Sequence, residues 1–169
     1  MNFKNISIAL VILVASLSRL LPHPPNFTPI IAIGLFSGVY FRKENTLSLI
    51  IPIMAMIISD LFLGFHLISL FVYLSLIIVV FIGRNIKKIK PTFILLGSLS
   101  GSIVFFIISN FGVFLIGYPK SFAGLLTCYT AAIPFFYNSI LGDLFFSGII
   151  FLAYDVIKRT IPQINSDIA

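Results

Sequence analysis

The side chains with the greatest capacity for chemistry are a few charged and polar groups that interrupt long apolar stretches. Arg19, Asp60 and Asp143 bring charge into such stretches, and Asn110 and Asn138 bring amides. A charged group at the centre of a membrane helix costs at least about 2.5–3.5 kcal/mol on insertion scales, so each requires a compensating partner. These groups can pair with one another, bond neighbouring helices together, or line a site for a ligand.

Together with polar residues near the ends of the same stretches, these groups form a candidate substrate-binding site. The predicted lining consists of Arg19, His23, Asn26, Asp60, His66, Tyr73, Asn110, Tyr129, Tyr137, Asn138 and Asp143. Among them, three tyrosines have rings that are suited to stacking on a flat ligand, because binding sites are largely apolar with a few polar groups.

Structural interpretations of the same residues stay open. Arg19 can form a buried ion pair, with Asp60 as the first candidate and Asp143 as the second. His23 can stabilise the Pro-rich turn in which it lies, and the two asparagines can bond between helices. Tyr118, Tyr129 and Tyr137 can anchor the protein at the membrane interface.

Sequence patterns of catalysis are missing. The chain has no HExxH, GxSxG or Walker lysine loop. Two separated histidines and the single Cys128 provide neither a metal-ligand spacing nor a disulfide framework. We therefore expect no catalytic residue, no metal and no resident cofactor, and we expect the protein not to be an enzyme.

The elements that position these residues must be membrane helices. Of the 169 residues, 59% are hydrophobic and 9% are charged, whereas soluble domains carry about 25% charged residues. So few charges cannot cover a water-facing surface, so the surface must face lipid. The net charge of +6 does not predict nucleic-acid binding, because the bases sit in short loops as the positive-inside rule requires.

Six apolar segments predict an all-α bundle of six transmembrane helices in a single domain, residues 1–169. The predicted helices are 5–21, 27–41, 46–65, 67–82, 92–117 and 133–157. Residues 118–132 form the longest predicted connection, with a short helix over 123–132 as the alternative. Two GxxxG motifs, Gly34 to Gly38 and Gly97 to Gly101, permit close helix approach within the bundle or to another subunit.

The distribution of bases predicts that both termini are cytoplasmic and that the first segment is a retained helix rather than a cleaved signal. In that orientation nine bases fall inside, namely Lys4, Arg42, Lys43, Arg84, Lys87, Lys88, Lys90, Lys158 and Arg159. Only Lys120 falls in an outer loop, and Arg19 lies near the outer end of the first helix. The polar candidates then occupy the outer halves of the helices, which predicts a cavity that opens outward above an apolar floor.

Three motifs carry a resemblance to a known group of proteins. They are Arg19-Leu-Leu-Pro-His-Pro-Pro-Asn-Phe-Thr-Pro29, Ser59-Asp-Leu-Phe-Leu-Gly-Phe-His66, and Cys128-Tyr-Thr-Ala-Ala-Ile-Pro-Phe-Phe-Tyr-Asn138 followed by Gly142-Asp143. The chain resembles small bacterial membrane proteins that are similar to the substrate-binding S components of energy-coupling-factor (ECF) vitamin transporters. This resemblance implies a six-helix bundle in the bacterial inner membrane, an outward-facing pocket, and partnership with an ECF coupling subunit and ATPases.

The nearest functional relative that the resemblance implies is the solitary cobalamin-transporting S component. His23 and Asp60 match a histidine and an aspartate that approach the corrinoid there, so a corrinoid is one implied ligand. The cobalt-ligating cysteine of that type has no counterpart, because Tyr73 stands near its place and Cys128 lies in another segment. Ala9 and Ala15 also depart from the AxxxA spacing with which S components dock their coupling subunit.

From the sequence we expect a membrane protein that binds a small molecule, such as a vitamin or cofactor precursor, for uptake from the outer side. Its partners would be the lipid bilayer, that substrate and an ECF-type module, without nucleic acid. One alternative is a scaffold subunit of an envelope complex, in which the polar residues only hold helices together. The other is a membrane enzyme that uses Asp60 or Asp143 with His23.

Overall fold

The chain folds into helices that follow the predicted segments. The computed structural model describes residues 3–160, and within this range it contains six α-helices and no strand. They are α1 (Phe3–Leu20), α2 (Ile30–Tyr40), α3 (Asn45–Leu63), α4 (Ser69–Asn85), α5 (Pro91–Gly117) and α6 (Phe122–Thr160). The predicted all-α class is confirmed.

Three of these helices, α3, α5 and α6, are long and apolar enough to cross a membrane, by length and composition. A span needs about 20 mainly apolar residues. Large apolar side chains such as Phe62, Leu67 and Phe122 are strongly exposed on the outside of the fold, where lipid rather than water is their favourable environment. The chain therefore has the character of a helical membrane protein, as its composition predicts.

The centre of the fold is the short helix α2. Its residues Ile30 through Val39 are all buried, because α3, α4, α5 and α6 pack around it, while α1 packs against α3. Eleven residues rise about 16 Å, roughly half of the 30 Å thickness of a bilayer's hydrocarbon core. The space beyond the N-terminal end of α2 is therefore open to be filled by other groups.

Glycines let α2 approach its neighbours closely. A Cβ atom added to Gly38 would lie 2.2 Å from the Val80 carbonyl oxygen of α4, and one added to Gly83 would lie 2.3 Å from the Leu35 carbonyl oxygen. On α5, a Cβ atom at Gly101 would lie 2.9 Å from Ile31. Both GxxxG motifs thus face other helices of the same chain, which agrees with their packing interpretation.

The largest difference from the sequence prediction concerns α6. The helix begins at Phe122, 11 residues (133 minus 122) before the predicted segment, so most of the expected connection over 118–132 is helical. In the sequence, Pro134 and the small polar residues before it favour an end or a break of the helix. In the structure Thr127 and Thr130 donate their hydroxyl protons back to carbonyls of their own helix, and α6 continues through Pro134. Its 39 residues extend over about 58 Å.

Candidate functional site

A cavity of about 220 Å³ lies at the N-terminal end of α2. All six helices and the connection that follows α1 contribute to its wall. The lining residues are Arg19, His23, Asn26, Thr28, Ile30, Ile31, Met56, Leu63, Val72, Phe105, Ser139 and Asp143. Half of these side chains are apolar, so the wall combines apolar surface with polar groups, as small-molecule sites do.

On one side of the cavity stands a buried ion pair. Arg19 Nη1 lies 2.7 Å from Asp60 Oδ1, and the same guanidinium nitrogen donates to the hydroxyl of Ser59. Tyr73 donates its phenolic proton to Asp60 Oδ2 over 2.9 Å. Both carboxylate oxygens therefore accept hydrogen bonds although Asp60 is only 3% exposed. The predicted pairing of Arg19 with Asp60 is confirmed.

The position of Arg19 follows from the contact between α1 and α3. The hydroxyl of Ser16 donates to the Ala55 carbonyl oxygen of α3 at 3.0 Å, which fixes the facing sides of the two helices. Arg19 lies three residues further along α1, on the same face of that helix. Its guanidinium therefore reaches the next turn of α3, where Ser59 and Asp60 project.

A second acidic residue, Asp143 of α6, also lines the cavity. This residue is 1% exposed, and its Oδ2 accepts a hydrogen bond of 2.6 Å from the Ser102 hydroxyl of α5. One turn away, Ser147 donates to the Ser98 hydroxyl at 3.3 Å. Serines thus bridge α5 and α6 on the face where Asp143 meets the cavity.

The connection between α1 and α2 forms the remaining polar wall. Asn26 has a φ of 63°, a left-handed conformation that asparagine tolerates better than most residues, and the Phe27 amide donates to the Pro24 carbonyl. The ring of Phe27 packs on Phe146 of α6, with centroids 5.4 Å apart. This aromatic contact holds the connection against the part of α6 that carries Asp143.

His23 is exposed on this connection and lines the cavity. Its Nδ1 lies 2.8 Å from the carbonyl oxygen of Pro24. Because a carbonyl oxygen only accepts, this bond places a proton on Nδ1 and leaves Nε2 available to another partner.

Among the predicted site residues, the structure brings Arg19, His23, Asn26 and Asp143 to the cavity wall. Asp60 and Tyr73 lie behind that wall and support Arg19. These six residues therefore belong to one cluster.

The other five predicted residues lie apart from it. Asn110 donates to the Phe106 carbonyl of its own helix at 2.7 Å, and Tyr129 donates to the Ile107 carbonyl at 2.7 Å. His66 is exposed beside the Gly64 carbonyl, Tyr137 is 65% exposed, and Asn138 is half-buried beside the lining residue Ser139. Asn138 and Ser139 lie at nearly the same depth on α6, so the direction in which each side chain leaves the helix decides that only Ser139 reaches the cavity.

Four polar residues of the cluster escaped the sequence prediction: Thr28, Ser59, Ser102 and Ser139. Serine and threonine are common in apolar helices because they bond to their own backbone, so a single one does not indicate a binding site. A signal does exist for Ser102. Ser98 and Ser102 share one face of a helix with Gly97 and Gly101, and small residues mark the side on which helices meet.

The arrangement offers ion pairing through Arg19 and Asp60 and hydrogen bonding through the other polar groups of the wall. No group of three His, Cys, Asp or Glu side chains suited to a metal occurs in the described part of the chain. A second cavity, of about 530 Å³, lies between α5 and α6 at the other end of the fold, beside Lys90 and Arg159. Its wall is mainly apolar, and it holds none of the predicted site residues.

Comparison with known families places this chain in one of them. A model of a family of unknown function, DUF6580, matches residues 1–164, so the chain belongs to that family. No curated protein matches the chain, and no solved structure matches it.

Proposed function

We propose that this member of the DUF6580 family is a six-span protein of the bacterial inner membrane that binds a small molecule at the N-terminal end of α2 for uptake. The observation that carries the proposal is the convergence of all six helical regions on one cavity with both polar and apolar walls. A protein that needed polar groups only to join helices would bury them against each other. Here Arg19, His23 and Asp143 adjoin open space instead.

The distribution of bases supports an orientation with both termini in the cytoplasm and the cavity open to the outer side. In that orientation Ser102 lies 11 residues beyond the start of α5 at Pro91, about 16 Å from the cytoplasmic side. The bonded Asp143 has the same depth, close to the middle of the bilayer. Substrate sites of many membrane transporters lie near the bilayer midplane, on discontinuous or short helical elements.

Below the cavity, tight apolar packing supports the idea of a closed floor. Leu35 of α2 and Leu76 and Val79 of α4 are all 0% exposed. A ligand that enters from outside would therefore stop at the end of α2 until the bundle rearranges. This arrangement is the one expected of a binding component for uptake, and the resemblance to ECF S components supplies a class of partner, a coupling subunit with ATPases.

The size of the cavity limits the ligand. A volume of about 220 Å³ corresponds to roughly seven water molecules at about 30 Å³ each, below the range of about 300–1,000 Å³ for drug-sized ligands. A corrinoid is larger than such ligands. The cavity therefore favours a small vitamin or cofactor precursor over a corrinoid, in line with the absence of a cysteine near Tyr73.

The two rival functions have less support. A scaffold role is favoured by the closed network of Arg19, Asp60 and Tyr73, but it gives no reason for the open space beside that network. An enzyme would need two of His23, Asp60 and Asp143 within reach of each other or of a substrate. In the described part of the chain each of these three bonds to a different partner.

Native mass spectrometry of the purified protein tests the proposal. The unaltered protein should retain a small molecule, and Val72→Phe should release it, because Val72 lines the cavity and a phenyl ring would fill much of it. Val14→Phe is the matched control, since Val14 is 62% exposed on α1. Equal retention by both variants, with both eluting as folded protein from size exclusion, would place the bound molecule elsewhere and refute the proposed site.

A further inference from the structure

Charges around the cavity are unequally compensated. The guanidinium of Arg19 is matched by Asp60 at 2.7 Å, so this pair adds little net charge. Asp143 has no ion-pair partner among the residues that the structure describes. Its hydrogen bond from Ser102 is a bond from a neutral hydroxyl, which does not balance a carboxylate.

The free side of the Asp143 carboxylate is directed to the cavity. Oδ2 is held by Ser102, whereas Oδ1 has no hydrogen-bond partner in the described part of the chain. Within that part, every fully buried side-chain oxygen has a partner. Oδ1 is therefore not sealed in the protein, and the open space next to it is the cavity that Asp143 lines.

A carboxylate so placed calls for a cation. Burying an uncompensated charge away from water is costly, and an opposite charge with good hydrogen-bond geometry offsets the cost. The described cavity wall supplies no lysine, and its arginine is already engaged by Asp60. Besides the imidazole of His23 on the same wall and protonation of the carboxylate itself, a group that enters with the ligand is the remaining source of compensation.

We propose that the ligand is a small organic amine whose ammonium group binds Asp143 Oδ1. Its compact apolar body would lie against Ile30, Ile31, Val72 and Phe105, which belong to the apolar part of the wall. This inference rests on the proposed function and specifies the class of its substrate. The charge-assisted bond from ammonium to carboxylate is about twice as strong as a neutral one, so charge rather than shape dominates selection.

Three probes with the same branched five-carbon body separate charge from shape: isopentylamine, isopentanol and isovalerate. Binding to the purified full chain in detergent is measured by isothermal titration calorimetry at pH 7, where the amine is a cation and the acid an anion. The amine should bind at least tenfold more tightly than the alcohol, and the acid should bind most weakly.

Variants then locate the charge. Asp143→Asn keeps the shape and one carbonyl oxygen but removes the charge, so it should lose the tenfold preference for the amine. Asp143→Glu should restore part of that preference. Asp155→Asn is the control, because Asp155 lies 12 residues further along the same helix and pairs with Arg159 at 2.7 Å; its preference should equal that of the unaltered protein.

The outcomes distinguish this inference from the proposed function. If the alcohol or the acid binds as tightly as the amine, or if Asp143→Asn keeps the preference, the amine assignment fails while the cavity remains a binding site. If none of the probes binds the unaltered protein and no small molecule co-purifies with it, the proposed function itself fails. The comparison of probes on the unaltered chain needs no variant to fold.

Discussion

Removing the Arg19 guanidinium should destabilise the protein more than any surface charge change. In Arg19→Met the apolar part of the side chain stays, but Asp60 loses its ion-pair partner at 2.7 Å. The Asp60 side chain is 4% exposed and that of Arg19 is 19% exposed, so solvent screens the pair little. Breaking a buried pair by removing one partner costs about 3–5 kcal/mol. Tyr73 still donates to Oδ2, which favours the lower end, about 3 kcal/mol.

The matched control is Arg159→Met. Arg159 also pairs with an aspartate at 2.7 Å, but its side chain is 78% exposed and that of Asp155 is 50% exposed. Exposed i,i+4 pairs contribute about 0.3–0.5 kcal/mol, so this variant should unfold almost as the unaltered protein does. The free energy of unfolding is measured by reversible denaturant titration in detergent micelles, with circular dichroism at the helix band.

A double variant completes the cycle. Asp60→Asn in the Arg19→Met background removes the uncompensated charge, so it should recover at least about 1.5 kcal/mol, because replacing both members of a buried pair is far less costly than removing one. The reasoning is refuted if Arg19→Met is no more destabilising than Arg159→Met. It is also refuted if the double variant is less stable than Arg19→Met.

Two further predictions concern packing and orientation. Gly38→Ala should lower the midpoint of thermal unfolding by several degrees, since its Cβ atom would lie 2.2 Å from the Val80 carbonyl oxygen. Gly148→Ala is the control and should leave the midpoint unchanged, because nothing lies within 4 Å of an added Cβ atom there. Equal midpoints for the two variants would show that the α2–α4 contact is looser than described. In a Cys128→Ser background, Lys88→Cys should react with a membrane-impermeant maleimide only after the cells are opened, because the basic loop is expected to be cytoplasmic; labelling in intact cells would reverse the orientation.

The ion pair could be predicted from the sequence because a charged side chain in an apolar segment has few favourable arrangements. A guanidinium within an apolar segment must find an anion or reach water, and Asp60 lies at a matching depth on a neighbouring segment. Asn110 shows why the same reasoning does not extend to every polar residue. Its amide donates to the Phe106 carbonyl four residues earlier, so it satisfies itself at depth without facing the interior. Depth restricts where a polar group lies along a helix, but not which way it points.

Two other features could not be predicted from the local sequence pattern. The bond from Ser102 to Asp143 joins residues 41 positions apart; the small-residue face of α5 marks Ser102 as a contact residue, but it does not specify Asp143 as the partner. The early start of α6 at Phe122 has a local cause. The hydroxyls of Thr127 and Thr130, which are typical of turns in sequence, bond within the helix instead. Because a threonine hydroxyl can stabilise a turn or bond back to its own helix, the local pattern does not decide where α6 begins.

The short length of α2 has an electrical consequence. In the proposed orientation, water that reaches the cavity brings the outer solution down to the end of α2, so the insulating layer at this point is only about 16 Å thick. The membrane potential would then fall mainly across the layer that contains α2. A positively charged ligand would cross little of the voltage on entering the cavity and most of it on passing inward, a gain of up to about 2.3 kcal/mol per charge at 100 mV, inside negative. Capture would be insensitive to voltage, whereas release to the cytoplasm would be driven by it.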